Sequence, residues 1–194
     1  MRWLLFSIVQ LLALPAAQPH KAWVVRSDSR IHIVGKSNVA NFQCDATRYE
    51  GQDTLLLREP IAGGRAFFDK GTVRMPVLQF DCHNLIMTGD FRRTLHAKQH
   101  PYLIIRFLHL DHMPALGRTC ENITGRLEVT LAGAVKEFEM TFQLEPGPDN
   151  TLHLYGRRRM AFSHFNLEPP QKMMGLVRVE DGLTVEFTMR LKTL

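Results

Sequence analysis

The sequence predicts an all-β fold: a two-sheet sandwich or a closed antiparallel barrel of about eight strands, with one short helix. Three observations lead there. Apolar and polar residues alternate with a period of two in most segments, turn residues interrupt that alternation at short intervals, and a single stretch has helical spacing.

The chain opens with "MRWLLFSIVQLLALPAAQ". One cation, Arg2, precedes an apolar run from Trp3 to Leu14, and small residues Ala16 and Ala17 follow. That order is the order of a secretory signal peptide, expected to span 1–17. The run is shorter than the ~20 residues that cross a bilayer, which weighs against an N-terminal membrane anchor. Residues 18–194 then form one domain, long enough to bury a core without depending on disulfides. The expected location is periplasmic or secreted, without stable membrane insertion.

Strands are expected at Ser29–Val34, Asn38–Ala46, Thr54–Arg58, Thr72–Phe80, Tyr102–Leu110 and Leu152–Phe162. "TGDFRRTLHAKQHP" interrupts them. Phe91, Leu95 and Ala97 fall at helical spacing there, Thr88 could cap and Pro101 lies beyond the end, so a helix is expected at about Asp90–Gln99. In "RLEVTLAGAVKEFEMTFQL", Leu127, Val129 and Leu131 share one parity. After a turn near Gly133, so do Phe138, Met140, Phe142 and Leu144. This reads as a hairpin with one dry face and one wet face. "EPGPDN" is a turn cluster, and Pro169-Pro170 end a strand. Near the C-terminus, Asp181-Gly182 predicts a tight hairpin turn before Leu183, Val185, Phe187, Met189 and Leu191.

The charge of +5 is scattered, and Arg157-Arg158-Arg159 is the one tight basic run. Without a basic stripe interleaved with aromatics, nucleic acid is not expected as a partner. In an exported chain three cysteines suggest one disulfide and one free thiol. Three single bridges are possible. "NFQC" and "QFDC" each place a cysteine at the end of a strand-like segment, which favours Cys44 with Cys82 and leaves Cys120 free.

No residue pattern points to catalysis. The nine histidines include His96 and His100, four apart, but neither His-Glu-x-x-His nor paired Cys-x-x-Cys occurs, so no metal and no cofactor is expected. There is no Gly-x-Ser-x-Gly elbow. Ser163 and His164, read as neighbours on a strand, point to opposite faces. "AGGR" lacks the lysine and hydroxyl of a phosphate loop. The apolar parity is more informative. Phe80, Phe107, Phe138, Met140, Phe142, Phe162, Phe187 and Met189 gather in the strands, either as a filled core or as the lining of a cavity for a lipid.

Four stretches, in this order, resemble the YceI-like family. They are "SRIHIVGKSNVANFQC"; "MTGDFRRTLHAKQHPYLIIRF", through Phe91, Leu95, Pro101, Ile104 or Ile105, and Phe107; "ITGRLEVTLAGAVKEFEM", through Gly125, Leu127 and Gly133; and "FSHFNLEPP", through Ser163, Phe165, Leu167, Pro169 and Pro170. The chain departs from the family pattern at its opening, where Trp23 precedes Asp28 without the Trp-x-x-Asp spacing, and at "AGAVKE". The resemblance implies an extended, lipocalin-like antiparallel barrel without enzyme activity, whose bore binds an isoprenoid or other long-chain amphiphile in the cell envelope. The lining expected on that basis is Phe80, Phe107, Leu127, Val129, Leu131, Phe138, Met140, Phe142, Phe162, Phe187 and Met189. Arg157 or Arg159 would meet a polar head group at the mouth. The alternative is a filled-core envelope interaction or stress-response module with no small ligand.

Overall fold

Period-two alternation builds most of the chain into strands, and a computed structural model describes residues 19–60, 63–115 and 119–194. The expected signal segment 1–17 lies outside them. The elements are β1 (His20–Val25), β2 (Arg30–Ser37), β3 (Asn41–Ala46), β4 (Thr54–Arg58), β5 (Ala66–Lys70), β6 (Thr72–Pro76), α1 (Leu85–Thr94), β7 (Tyr102–Leu110), β8 (Glu121–Leu131), β9 (Ala134–Pro146), β10 (Thr151–Ala161), β11 (Gln171–Lys172) and β12 (Val177–Thr193).

Eight strands close a ring in the order β1-β4-β5-β7-β8-β9-β10-β12, and β12 returns to β1 through Trp23↔Thr193, Val24↔Lys192 and Val25↔Leu191. Every pairing is antiparallel, so the expected eight-stranded barrel with one short helix is the fold found. Closure removes the edges of the ring strands, while β3 and β6 each pair on one side only.

The wall extends unevenly beyond that ring. β12 pairs with β1 at its end and with β2 earlier, while β7 pairs with β5 near its end and with β6 from its start. One end of the barrel is therefore fully laddered. At the other, β3 meets the stretch after β6 through the bridge Asp45↔Asp81, a disulfide and a hydrogen bond from His83 to Asp45. There α1 lies across the opening, with Arg92 donating to the carbonyls of Leu78 and Phe80.

The parity of the β8–β9 hairpin holds. Leu127, Val129, Phe138, Met140, Phe142 and Leu144 are buried, and Ala132 and Gly133 turn the chain with positive φ. Gly156 is needed for space, because a Cβ there would lie 2.3 Å from the Phe187 ring.

Several local expectations are corrected. α1 begins earlier than expected because Asn84, not Thr88, caps it; the Asn84 side chain accepts from the N–H groups of Ile86 and Met87. The Thr88 hydroxyl instead accepts from Cys82 N–H and donates to Asp81. The helix stops at Thr94, and His96 takes φ 52°. Asp181-Gly182 makes no hairpin. β12 runs straight through it with a register shift between Val179 and Leu183, and the Asp181 carboxylate accepts from both Ser163 N–H and Ser163 Oγ. β10 pairs with β12 across the connection 162–176, and within it β11 forms the last hairpin with the start of β12. Ser163 and His164 lie on a single 3₁₀ turn (Phe162–Phe165), not on a strand. β1 and β5 are additional strands.

Candidate functional site

The barrel interior divides along its axis. At the laddered end, aromatic rings fill it in a continuous stack. Trp23 meets Phe68 at 6.3 Å between centroids, Phe68 meets Phe107 at 5.6 Å, Phe107 meets Phe142 at 5.9 Å and Phe142 meets Phe187 at 6.0 Å. Tilted and edge-on rings at these distances pack with little free space.

Toward the helix-covered end the stack gives way to a cavity of about 70 Å³ whose lining is entirely apolar. A dry lining of this kind retains no ordered water and suits a hydrocarbon chain. Seven of the expected residues line it: Phe80, Leu127, Val129, Leu131, Met140, Phe162 and Phe187. Four do not. Phe107 and Phe142 belong to the aromatic stack, and Met189 lines a separate space of about 20 Å³ beside Phe187. Phe138 packs against Phe165 and His164 beneath the 3₁₀ turn. All four are buried, as their parity requires, but they sit at different heights in the barrel or against different elements.

Other residues complete the lining. Ile31 and Ile33 come from β2, Leu103 and Ile105 from β7, and Met160, Leu183 and Val185 from β10 and β12. Phe91 and Leu95, four apart on and just past α1, close it from above with Phe165 and Leu167. Their signals were present as strand alternation and as an i, i+4 helical pair, but nothing local assigns them to the same space.

Outside this roof runs a groove of about 310 Å³ between the β2–β3 turn, α1 and the start of β12. Val39, Phe42, Ile86, Met87, Val177 and Val179 give it an apolar floor. Phe91 and Phe162, both buried, line both groove and cavity. Across the groove Lys172 Nζ reaches Asp90 at 2.8 Å, and Arg93 reaches the same carboxylate at 2.7 Å, tying β11 to α1.

The β3 side of the roof is held by a polar latch. Asp45 receives His32 Nδ1 on one oxygen and His83 Nε2, at 2.7 Å, on the other. Beside it Cys44 and Cys82 are bonded, as expected, and Cys120 is free and exposed. Burial works to raise the Asp45 pKa, but the two histidine hydrogen bonds and charges outweigh it and hold the carboxyl below its ordinary value. Asp181 is also held low, chiefly by the Ser163 hydroxyl.

The arginines are not placed as expected. Arg157 pairs with Glu186 at 3.1 Å on the outer wall, and the Arg159 guanidinium lies over Gly182. Arg158 shares the inward parity instead. The β9–β10 ladder ends at Gly156↔Phe142, and past that point Arg158 stacks 4.9 Å from the Phe138 centroid and donates to the carbonyl of Glu139. Among the described residues no three His, Cys, Asp or Glu side chains converge as metal ligands. No described helix is long and apolar enough to cross a membrane.

This barrel, with its roof and short helix, matches solved structures over most of its length. BcnA of Burkholderia cenocepacia superposes with a TM-score of 0.57 at 15% identity, covering 84% of this chain and 95% of its own. A domain from Saccharophagus degradans, described as polyisoprenoid binding and implicated in plant cell wall breakdown, superposes with a TM-score of 0.62 at 9% identity, covering 89% of this chain and 98% of its own. The fold is YceI-like. At these identities the likeness lies in the backbone path, and neither a family model nor a curated protein matches the sequence.

Proposed function

We propose that this chain belongs to the YceI-like family and acts by binding, not catalysis, as an exported carrier of an isoprenoid or other long-chain amphiphile in the cell envelope. The observation that carries this reading is the wholly apolar cavity, which shares the rings of Phe91 and Phe162 with an apolar surface groove. A slender methyl-branched chain suits so narrow a space, and outward rotation of the two rings would join cavity and groove into one channel. Burial supplies the driving force, at about 0.8 kcal/mol per CH₂ transferred from water. The polyisoprenoid-binding description of one fold neighbour supports the same ligand class, and the signal-like opening sequence supports export.

A second reading is favoured by the aromatic stack and the small free volume: a filled-core module that binds protein through its outer face. Mass spectrometry of an organic extract of the purified protein separates the two. The carrier reading expects a stoichiometric lipid in the wild type and its loss from Met140→Glu, which puts an unpaired charge against the cavity. Extracts without lipid, or lipid retained unchanged by folded Met140→Glu, would favour the module.

A further inference from the structure

We propose that the helix-covered end of the barrel docks on an anionic lipid bilayer, its apolar rim entering the acyl region and its groove opening toward the membrane. This rests on the lipid-carrier reading and adds where the lipid is exchanged.

The distribution of exposed apolar side chains points to this end. Twelve large hydrophobic residues are exposed among the described residues, and seven of them come from three neighbouring segments. Val39 caps the β2–β3 turn, Leu85, Ile86 and Met87 form the first turn of α1, and Met173, Met174 and Leu176 form the turn between β11 and β12. The other five are Phe67, Leu78, Tyr102, Val135 and Leu194. Leu85 is 93% exposed and Met174 fully so. Both Met173 and Met174 have positive φ, a backbone conformation that side-chain-bearing residues seldom adopt.

These segments form one surface. Val39, Ile86 and Met87 share the groove. The Asn38 side chain donates to the Leu176 carbonyl at 2.8 Å and accepts from Arg178 N–H at 2.9 Å, clamping two turns together. The Lys172–Asp90 pair ties the third segment to them. A patch built this way, at the port of an apolar cavity, marks an interaction surface and not scattered exposure.

Its charge selects the occupant. Lys36, Arg92, Arg93, Lys172 and Arg178 lie on these segments or beside them, with Asp81, Asp90, Glu168, Glu180 and Asp181. Asp90 is already shared by Arg93 and Lys172, whereas Lys36 and Arg178 have no carboxylate partner among the described residues. Apolar tips flanked by the unpaired cations Lys36 and Arg178 fit the interface of a bilayer with anionic head groups. Docking there would let a membrane-borne chain pass Phe91 and Phe162 without crossing water.

Co-sedimentation of the purified protein with vesicles of phosphatidylglycerol and phosphatidylethanolamine, against vesicles of phosphatidylcholine alone, tests this. The wild type should bind the anionic vesicles, and less so as salt rises. Met174→Asp and Leu85→Asp, at side chains that project into solvent and leave the fold intact, should each weaken binding about ten-fold or more. Lys36→Ala and Arg178→Ala should each weaken it about five-fold. Leu194→Asp, the same change at the opposite end, should leave it unaltered. Wild type that stays in the supernatant, or Met174→Asp that binds as wild type does, would overturn the proposal. So would a dimer that Met174→Asp dissociates, which would assign the face to a second copy. Lipid analysis of the same preparations keeps the two readings apart. Bound lipid without vesicle binding overturns docking alone; vesicle binding by a protein carrying no lipid supports docking and removes the carrier.

Discussion

The two ends of this barrel use the same inward parity for opposite purposes. At the laddered end, Trp23, Phe68, Phe107, Phe142 and Phe187 stack ring on ring across a closed wall. At the other, aliphatic side chains, methionines and a roof of helix and 3₁₀ turn leave a dry space. Rings held by several strands contribute stability through dispersion and burial. Slender, flexible side chains beneath a separate cover can move aside for a ligand. The fold thus keeps rigidity and adaptability in one interior by separating them along its axis.

The largest expected effect on stability lies in the stack. Phe142→Ala removes a fully buried ring that touches both Phe107 and Phe187. It should cost about 3–5 kcal/mol in chemical denaturation while leaving lipid retention intact. Loss of lipid without loss of stability would erase the distinction between the ends. Next comes the disulfide, which closes a separation of 38 residues at the roof. Replacing Cys44 and Cys82 with serine should cost about 2–4 kcal/mol. Hydrogen exchange should quicken in α1 and β3 well before it does in the β8–β9 hairpin; uniform quickening would mean that the roof is not a separate unit.

A smaller effect is expected from acid. The folded Asp45 carboxyl titrates below its ordinary value of 3.8, so the stability it contributes is complete above that value. It is lost as the pH falls from there through the lowered folded value. Asp45→Asn should remove this acid-dependent share and flatten the loss between the two values in thermal melts. A variant with the wild-type acid profile would place the acid sensitivity elsewhere.

How much of this was legible before folding can be seen residue by residue. Leu127, Val129, Met140 and Phe142 declared their side of the sheet through alternation alone, because a strand's side chains project to opposite faces whatever it pairs with. Tyr102–Leu110 and Thr54–Arg58 were legible to the residue. β5 was not. Its adjacent Phe67 and Phe68 break the alternation, and only pairing with β4 and β7 makes it a strand. Asp181-Gly182 has the residues of a hairpin turn, yet β10 and β2 flank it and the Ser163 hydroxyl engages Asp181, so the chain runs on.

By itself, then, the sequence determined an all-β chain with one short helix, the parity that faces inward, and the two cysteines that could bond at strand ends. Ring closure decided the rest. Parity says which residues face the interior but not how far along the axis they lie, so Phe142 and Met140, two residues apart on one face, end up in an aromatic plug and a cavity wall respectively. That height is set by the stagger of eight paired strands, a property of the whole ring that no single segment carries.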